Sequence, residues 1–164
     1  MNGMKTLIVY YSVDGNTERA ALAIAPLMQA TVVKLEPVKA YPRFILARFP
    51  VCAVGAMSKR PRAIKPTGVA VADFDRILIG TPTWMGCMAP PVRQFILDNS
   101  FKGKQLGFFT SCMHMPQDTI IEAELLIEGS TVLGRRVFTH ADLHGKNGSL
   151  ETLCQEFVDR FDFN

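Results

Sequence analysis

No apolar run in this sequence approaches the ~20 residues that cross a bilayer. Met1–Lys5 leads directly into an apolar stretch, so neither a signal peptide nor a membrane span is expected. Cysteine is sparse and scattered: Cys52, Cys87, Cys112 and Cys154 form no CxxC pair and have no histidine at metal-ligand spacing. That pattern argues against a disulfide framework or a zinc site, and predicts reduced thiols in a cytoplasmic protein. There is no internal repeat, no low-complexity tract and no boundary-like linker, so residues 1–164 are expected to form a single domain. Acidic residues are missing altogether from Pro37 to Ala72, a segment that carries seven basic ones: Lys39, Arg43, Arg48, Lys59, Arg60, Arg62 and Lys65. The net charge of +3 therefore belongs to one connection and not to the whole surface. Helix-turn-helix and RNA-binding signatures are absent, and nucleic acid is not an expected partner.

What is present is an alternation of apolar strand candidates with helical patterns. Strands are predicted at Lys5–Tyr11, Thr31–Leu35, Arg76–Gly80, Gln105–Thr110 and Arg136–Thr139. Helices are predicted over Thr17–Gln29, from the Pro90–Pro91 pair to Asn99, over Gln117–Glu128 and over Ser149–Phe161. Proline is tolerated in a first helical turn, and Val92, Phe95 and Ile96 then supply the apolar stripe. Strands separated by helices need crossover connections, which predicts a parallel sheet covered on both faces. Residues 36–73 are too long for a plain helix-to-strand connection. Their middle, Arg43–Met57, reads as helical, with Pro50 expected to kink or end it. The tail, Lys59-Arg60-Pro61-Arg62 with Pro66 and Gly68, reads as an irregular loop.

The first strand delivers its carboxyl end into Ser12-Val13-Asp14-Gly15-Asn16-Thr17, which opens directly into a helix. Free N–H groups and the positive end of the helix dipole favour an anion there. An ordinary strand-to-helix turn with a good cap reads the same way. The loop is neither GxGxxG nor GxxxxGK[ST] and holds no lysine, so a bound phosphate is expected to meet N–H groups and hydroxyls instead of a side-chain cation. The third strand ends in Gly80-Thr81-Pro82-Thr83-Trp84-Met85-Gly86-Cys87-Met88-Ala89-Pro90-Pro91, which carries the only tryptophan. Trp84 either covers a loop edge or forms a wall for a flat aromatic ring.

Ser12-x-x-Gly15-x-Thr17 behind a Tyr-Tyr-Ser strand end resembles the phosphate loop of the flavodoxin-like family, which holds the phosphate of FMN. Gly-Thr-Pro-x-Trp followed by Ala-Pro-Pro and a helix is similar to that family's second flavin-contacting loop. The resemblance implies a three-layer α/β sandwich with a five-stranded parallel sheet in the order 2-1-3-4-5. The first and third strands are then neighbours, and the ligand crevice lies at their carboxyl ends, as for flavodoxin itself. It further implies phosphate contacts from Ser12, Val13, Asp14, Gly15, Asn16 and Thr17. Trp84 would border the isoalloxazine, with Thr81, Pro82, Thr83, Met85 and Gly86 along the ring edge. The Met85–Gly86 peptide would be flexible, with a carbonyl available to reduced flavin. The third loop, Ser111, Cys112 and Met113, matches by position, with His114 beside it either as a proton donor or as an exposed loop residue.

One departure stands out. The family usually places Thr or Ser where this chain has Asp14, and a carboxylate repels a phosphate dianion, so Asp14 is expected to turn outward or cap the helix. By this resemblance the chain is an FMN-binding redox protein in which no residue need act as acid, base or nucleophile. Its partner would be a redox protein or a small molecule of the NAD(P)H or quinone type. From another class, a flavin-free module could use residues 39–65 to contact nucleic acid or an acidic protein. Cys87 and Cys112 read as small apolar walls, and His140, Asp142 and His144 are assigned no chemistry.

Overall fold

A computed structural model describes residues 4–113 and 119–161. Five strands run parallel in the spatial order β2 (Thr31–Lys34), β1 (Thr6–Tyr10), β3 (Arg76–Trp84), β5 (Gln105–Cys112) and β6 (Thr131–Thr139). Counting the parallel strands alone, this is the expected 2-1-3-4-5. A two-residue strand, β4 (Cys87–Met88), pairs antiparallel with the end of β3. The central strands are buried on both faces, which is why β1 reads Leu-Ile-Val-Tyr without alternation. Leu7, Val9, Ile77 and Ile79 pack with Val92, Phe95 and Ile96 of α3 (Pro90–Asp98) on one side. Ile8, Tyr10 and Leu78 face Ala20 and Ile24 of α1 (Asn16–Ile24) and Phe157 of α6 (Leu150–Val158) on the other. Each such fully buried Val, Leu, Ile or Phe side chain stabilises the fold by about 1.5–3 kcal/mol.

Glycine shapes the second of these faces. Gly107 and Gly134 are register partners on β5 and β6, and a Cβ at either would collide with the Phe161 ring. The aromatic rings of Phe157 and Phe161 thus lie on bare backbone, and Arg76 donates from Nη2 to the Phe161 carbonyl at 3.2 Å.

Several elements depart from the expected map. β6 begins at Thr131 instead of Arg136, because pairing with β5 carries the strand through Gly134 and Arg135, which interrupt its apolar pattern. A helix, α2 (Ile45–Met57), continues through Pro50. Proline there frees the Leu46 carbonyl, and Leu46 is exposed, so water can satisfy it. The helix expected over Gln117–Glu128 is α4 (Thr119–Glu124), its first two expected positions lying outside the described residues.

After β6 comes a short helix that the sequence did not signal, α5 (His140–Leu143), closed by a capping box. The Thr139 N–H and hydroxyl both donate to Asp142 Oδ2, at 2.8 and 2.7 Å, and the Asp142 N–H donates back to Thr139 Oγ1 at 3.2 Å. Burial works against the Asp142 carboxylate, but the Asn147 amide and the Thr139 donors outweigh it and hold its pKa below the usual value. A depressed folded pKa stabilises above the unfolded value and loses that contribution as pH falls through the folded one. Asp142→Ala is therefore expected to cost about 1 kcal/mol at neutral pH. In urea titrations the gap from wild type should close below about pH 4. A gap independent of pH would show that the loss comes from packing.

Candidate functional site

At the carboxyl ends of β1 and β3 lies a cavity of about 330 Å³ with four walls. The β1–α1 loop supplies Ser12, Val13, Asp14, Asn16 and Thr17. The end of β3 supplies Pro82, Thr83, Trp84 and Met85, and the end of β5 supplies Ser111, Cys112 and Met113. The fourth wall is α2, through Ile45, Arg48, Phe49, Cys52 and Ala53. Three loops far apart in sequence thus converge on one crevice, as the strand order requires. Gly15, Thr81 and Gly86 stand behind the walls and do not line the cavity, and His114 lies outside the described residues.

The first loop is shaped for an anion. Gly15, at φ 83°, turns the chain into α1, and no side chain caps the helix, so its first-turn N–H groups face the loop. Ser12 Oγ accepts the Gly15 N–H at 3.1 Å. Thr17 is buried and shares a 2.7 Å hydrogen bond with Ser111 Oγ, joining the first and third loops. With Ser111 donating, the Thr17 proton remains free for an acceptor. Glu18, the first-turn acid, is turned away, accepting from the Tyr10 hydroxyl at 2.8 Å and from Lys34 at 3.1 Å.

Asp14 does not cap the helix; its exposed side chain stands at the cavity wall, and it does not stand alone. Arg48 Nη2 donates to Asp14 Oδ1 at 2.6 Å, and the Arg48 side chain is only 18% exposed against 62% for Asp14. The loop itself holds no cation, and α2 brings Arg48 to the same cavity. Contacts across this distance in sequence leave no local signal.

Trp84 closes the second wall. Its indole meets Tyr11 and Tyr41 edge-on, at centroid distances of 5.8 and 5.3 Å. Beyond Trp84 the chain reverses through Met85 (φ 52°) and Gly86 (φ 77°), the two left-handed positions of a type I′ hairpin between β3 and β4. Methionine is an uncommon residue there, which hid the hairpin from the sequence. A chain of threonine hydroxyls fixes the reversal. Thr110 donates to the Thr81 carbonyl at 2.8 Å, which leaves Thr83 to donate to Thr110 at 2.7 Å. Thr119 of α4 donates to the Gly86 carbonyl at 3.1 Å. The turn is thus anchored at the Gly86 carbonyl, one peptide beyond the Met85–Gly86 peptide. Thr81 is committed to the scaffold, its Oγ1 accepting the Ala89 N–H at the start of α3 at 3.0 Å.

Behind this wall sits a buried ion pair, Arg93 of α3 with Glu122 of α4, and Glu122 Oε2 also accepts the Met88 N–H at 3.0 Å. At the cavity thiols burial is the dominant influence, and at Cys52 it outweighs the nearby Arg48 cation. Burial pushes Cys52 up to about 11 and raises Cys112 as well, so both are protonated walls at neutral pH.

The basic connection is largely engaged within the fold. Arg48 pairs with Asp14, Lys65 with Glu36 at 2.7 Å, and Lys59 lies 3.7 Å from Glu122. Arg62 stacks over Tyr41 at 4.1 Å and donates to the Lys39 carbonyl at 2.6 Å.

The parallel sheet and its strand-end cavity define a flavodoxin-like α/β protein. No protein-family model matches the chain. A curated NAD(P)H dehydrogenase (quinone) of Geotalea uraniireducens is 30% identical over 159 residues, covering 80% of this chain and 71% of that protein. The protein of the same name from Geobacter sulfurreducens is 30% identical over 155 residues, with the same coverage. Among solved structures, a flavoprotein in complex with FMN from Lactobacillus acidophilus matches with a TM-score of 0.69 at 20% identity, covering 82% of this chain and 93% of that one. The flavodoxin, WrbA-like protein from Agrobacterium tumefaciens matches with a TM-score of 0.61 at 20% identity, covering 96% of this chain and 94% of that one. The chain belongs to the flavodoxin-like family that includes these NAD(P)H dehydrogenase (quinone) proteins.

Proposed function

We propose that the cavity holds FMN and that the protein is an FMN-dependent oxidoreductase acting between NAD(P)H and a quinone-type acceptor, as a single domain in the cytoplasm. One observation carries the reading: an anion-accepting loop, an aromatic wall and the third strand-end loop converge on one cavity. The donor set suits a phosphate, with first-turn N–H groups, the Thr17 hydroxyl and the Arg48 guanidinium on the same side. Trp84, Pro82 and Met85 suit a flat ring, and Ser111 offers a hydroxyl near its polar edge. Bound FMN supplies the two-electron chemistry. In the overall reaction NAD(P)H gives up a hydride and the quinone, gaining two electrons and two protons, becomes a quinol; the second proton comes from solvent. The protein's part is to bind, orient and exclude water. The names of the relatives support this acceptor class. A flavin-free module working through residues 39–65 finds no support, because Arg48, Lys59, Arg62 and Lys65 are engaged within the fold.

The test is a flavin titration. FMN is expected to bind stoichiometrically and to quench Trp84, whose emission is unambiguous because it is the only tryptophan. Riboflavin, lacking the phosphate, is expected to bind at least about tenfold more weakly, as loss of charge-assisted hydrogen bonds requires. Equal affinity for the two flavins, or unchanged Trp84 emission at saturating FMN, would remove the cofactor from this cavity.

A further inference from the structure

Among the described residues, the exposed large apolar side chains gather on the outer surface of α2 and just ahead of it. Arg48 is the only charged residue within the helix, and it points inward with Cys52 and Ala56, at i, i+4 and i+8. The opposite stripe, Leu46, Pro50, Val54 and Met57, is wholly apolar and faces solvent. Leu46 is 90% exposed and Val54 67%, and Phe44, just ahead of the helix, is 83% exposed. A helix that is apolar all round is normally buried, and contiguous exposed apolar surface marks an interaction site.

We infer that this face of α2 seats on an anionic phospholipid surface. The charges around it select that occupant. Arg43 precedes the helix and Lys59 and Arg60 follow it, while no acidic residue lies between positions 37 and 72. Among the described residues Lys39, Arg43 and Arg60 form no ion pair, so their cationic ends are available at both ends of the apolar stripe. Apolar side chains enter the acyl boundary while flanking Lys and Arg meet anionic headgroups. The helix has 13 residues, too short for the ~20 that span a bilayer, and no helix among the described residues is long and apolar enough to cross one. It lies along the surface. A second copy is the less fitting occupant. Two such faces packed antiparallel set Arg43 against Lys59 and Arg60, and packed parallel they set Arg43 against Arg43, like charges in either case.

Ile45 and Phe49 line the cavity and are also exposed, so the apolar face runs unbroken onto the cavity rim. Docked in this way, the protein presents the mouth of its cavity at the lipid boundary, where lipophilic quinones partition. This last consequence rests on the quinone reading; the lipid contact itself does not.

Vesicle flotation tests the contact. Wild-type protein is expected to partition at least about tenfold more strongly into phosphatidylcholine vesicles containing a third phosphatidylglycerol than into pure phosphatidylcholine, with the preference shrinking as salt rises. The double variant Leu46→Glu, Val54→Glu lies outside the cavity and should lose about tenfold or more of that partitioning, with circular dichroism and FMN affinity unchanged. Arg43→Gln with Arg60→Gln should abolish the anionic preference while leaving the apolar face intact. Equal partitioning of wild type into both vesicles overturns the inference, as does unaltered binding by the glutamate variant. A wild-type dimer that ignores vesicles and becomes monomeric in the glutamate variant gives the face to a second copy and overturns it too. None of these outcomes touches the FMN-against-riboflavin comparison, so the two readings fail separately.

Discussion

Replacing Arg93 with methionine is expected to lower the unfolding free energy by about 3–5 kcal/mol. Arg93 and Glu122 have side chains 8% and 10% exposed, so the substitution strands a carboxylate in a nearly dry site. Burial makes a broken pair far costlier than an absent one. The double variant Arg93→Met, Glu122→Leu removes both charges and should recover much of the loss, although the Met88 N–H then loses its acceptor at about 1–3 kcal/mol. Urea unfolding of the two single variants and the double variant checks the sign of the coupling. A loss below about 1 kcal/mol in Arg93→Met would show that Lys59, 3.7 Å from the same carboxylate, takes over as partner. Glu122 also anchors β4, so the single variants should loosen the Trp84 wall along with the fold.

Arg48→Gln is expected to weaken FMN by about 1.5–3 kcal/mol while leaving riboflavin nearly unchanged, the signature of a lost charge-assisted contact to phosphate. The geometry motivates this: the guanidinium lines the cavity beside the anion loop and is held there by Asp14 at 2.6 Å. Asp14 carries the opposite charge on the same loop, so Asp14→Asn should tighten FMN or leave it unchanged, and never weaken it by the same amount. Calorimetric titrations of both flavins into wild type and the two variants decide the matter. Equal losses for FMN and riboflavin in Arg48→Gln would mean that Arg48 merely holds α2 against the cavity.

The parallel architecture and two of the cavity walls were legible in the sequence because each rests on local pattern. Buried strands announce themselves as apolar runs such as Leu7–Tyr11, and a strand end meeting Ser12, Gly15 and Thr17 marks an anion loop. What was hidden depends on contacts between distant residues. Counting charges in residues 37–72 gave a field of seven cations; only the fold reveals Asp14, Glu36 and Glu122 as partners for three of them. Pro50 argued for a kinked or ended helix; the helix does not end there, and the exposure of Leu46 leaves its freed carbonyl within reach of water. Thr81 sat in the middle of the right motif yet serves the start of α3, since a hydroxyl facing the sheet's interior finds a backbone N–H before it finds a ligand.

The paired glycines of β5 and β6 have a consequence for synthesis on the ribosome. Gly107 and Gly134 offer no side chain of their own, and the rings that cover them come from residues 157 and 161. Until those residues emerge, a nascent chain holding every strand of the sheet leaves that face bare over β5 and β6, while α1 already covers it over β1 and β3. Closure of that face is therefore set by translation and not by local folding. A chain arrested shortly before residue 157 is expected to stay protease-sensitive on that face while α3 and its side of the sheet are already protected.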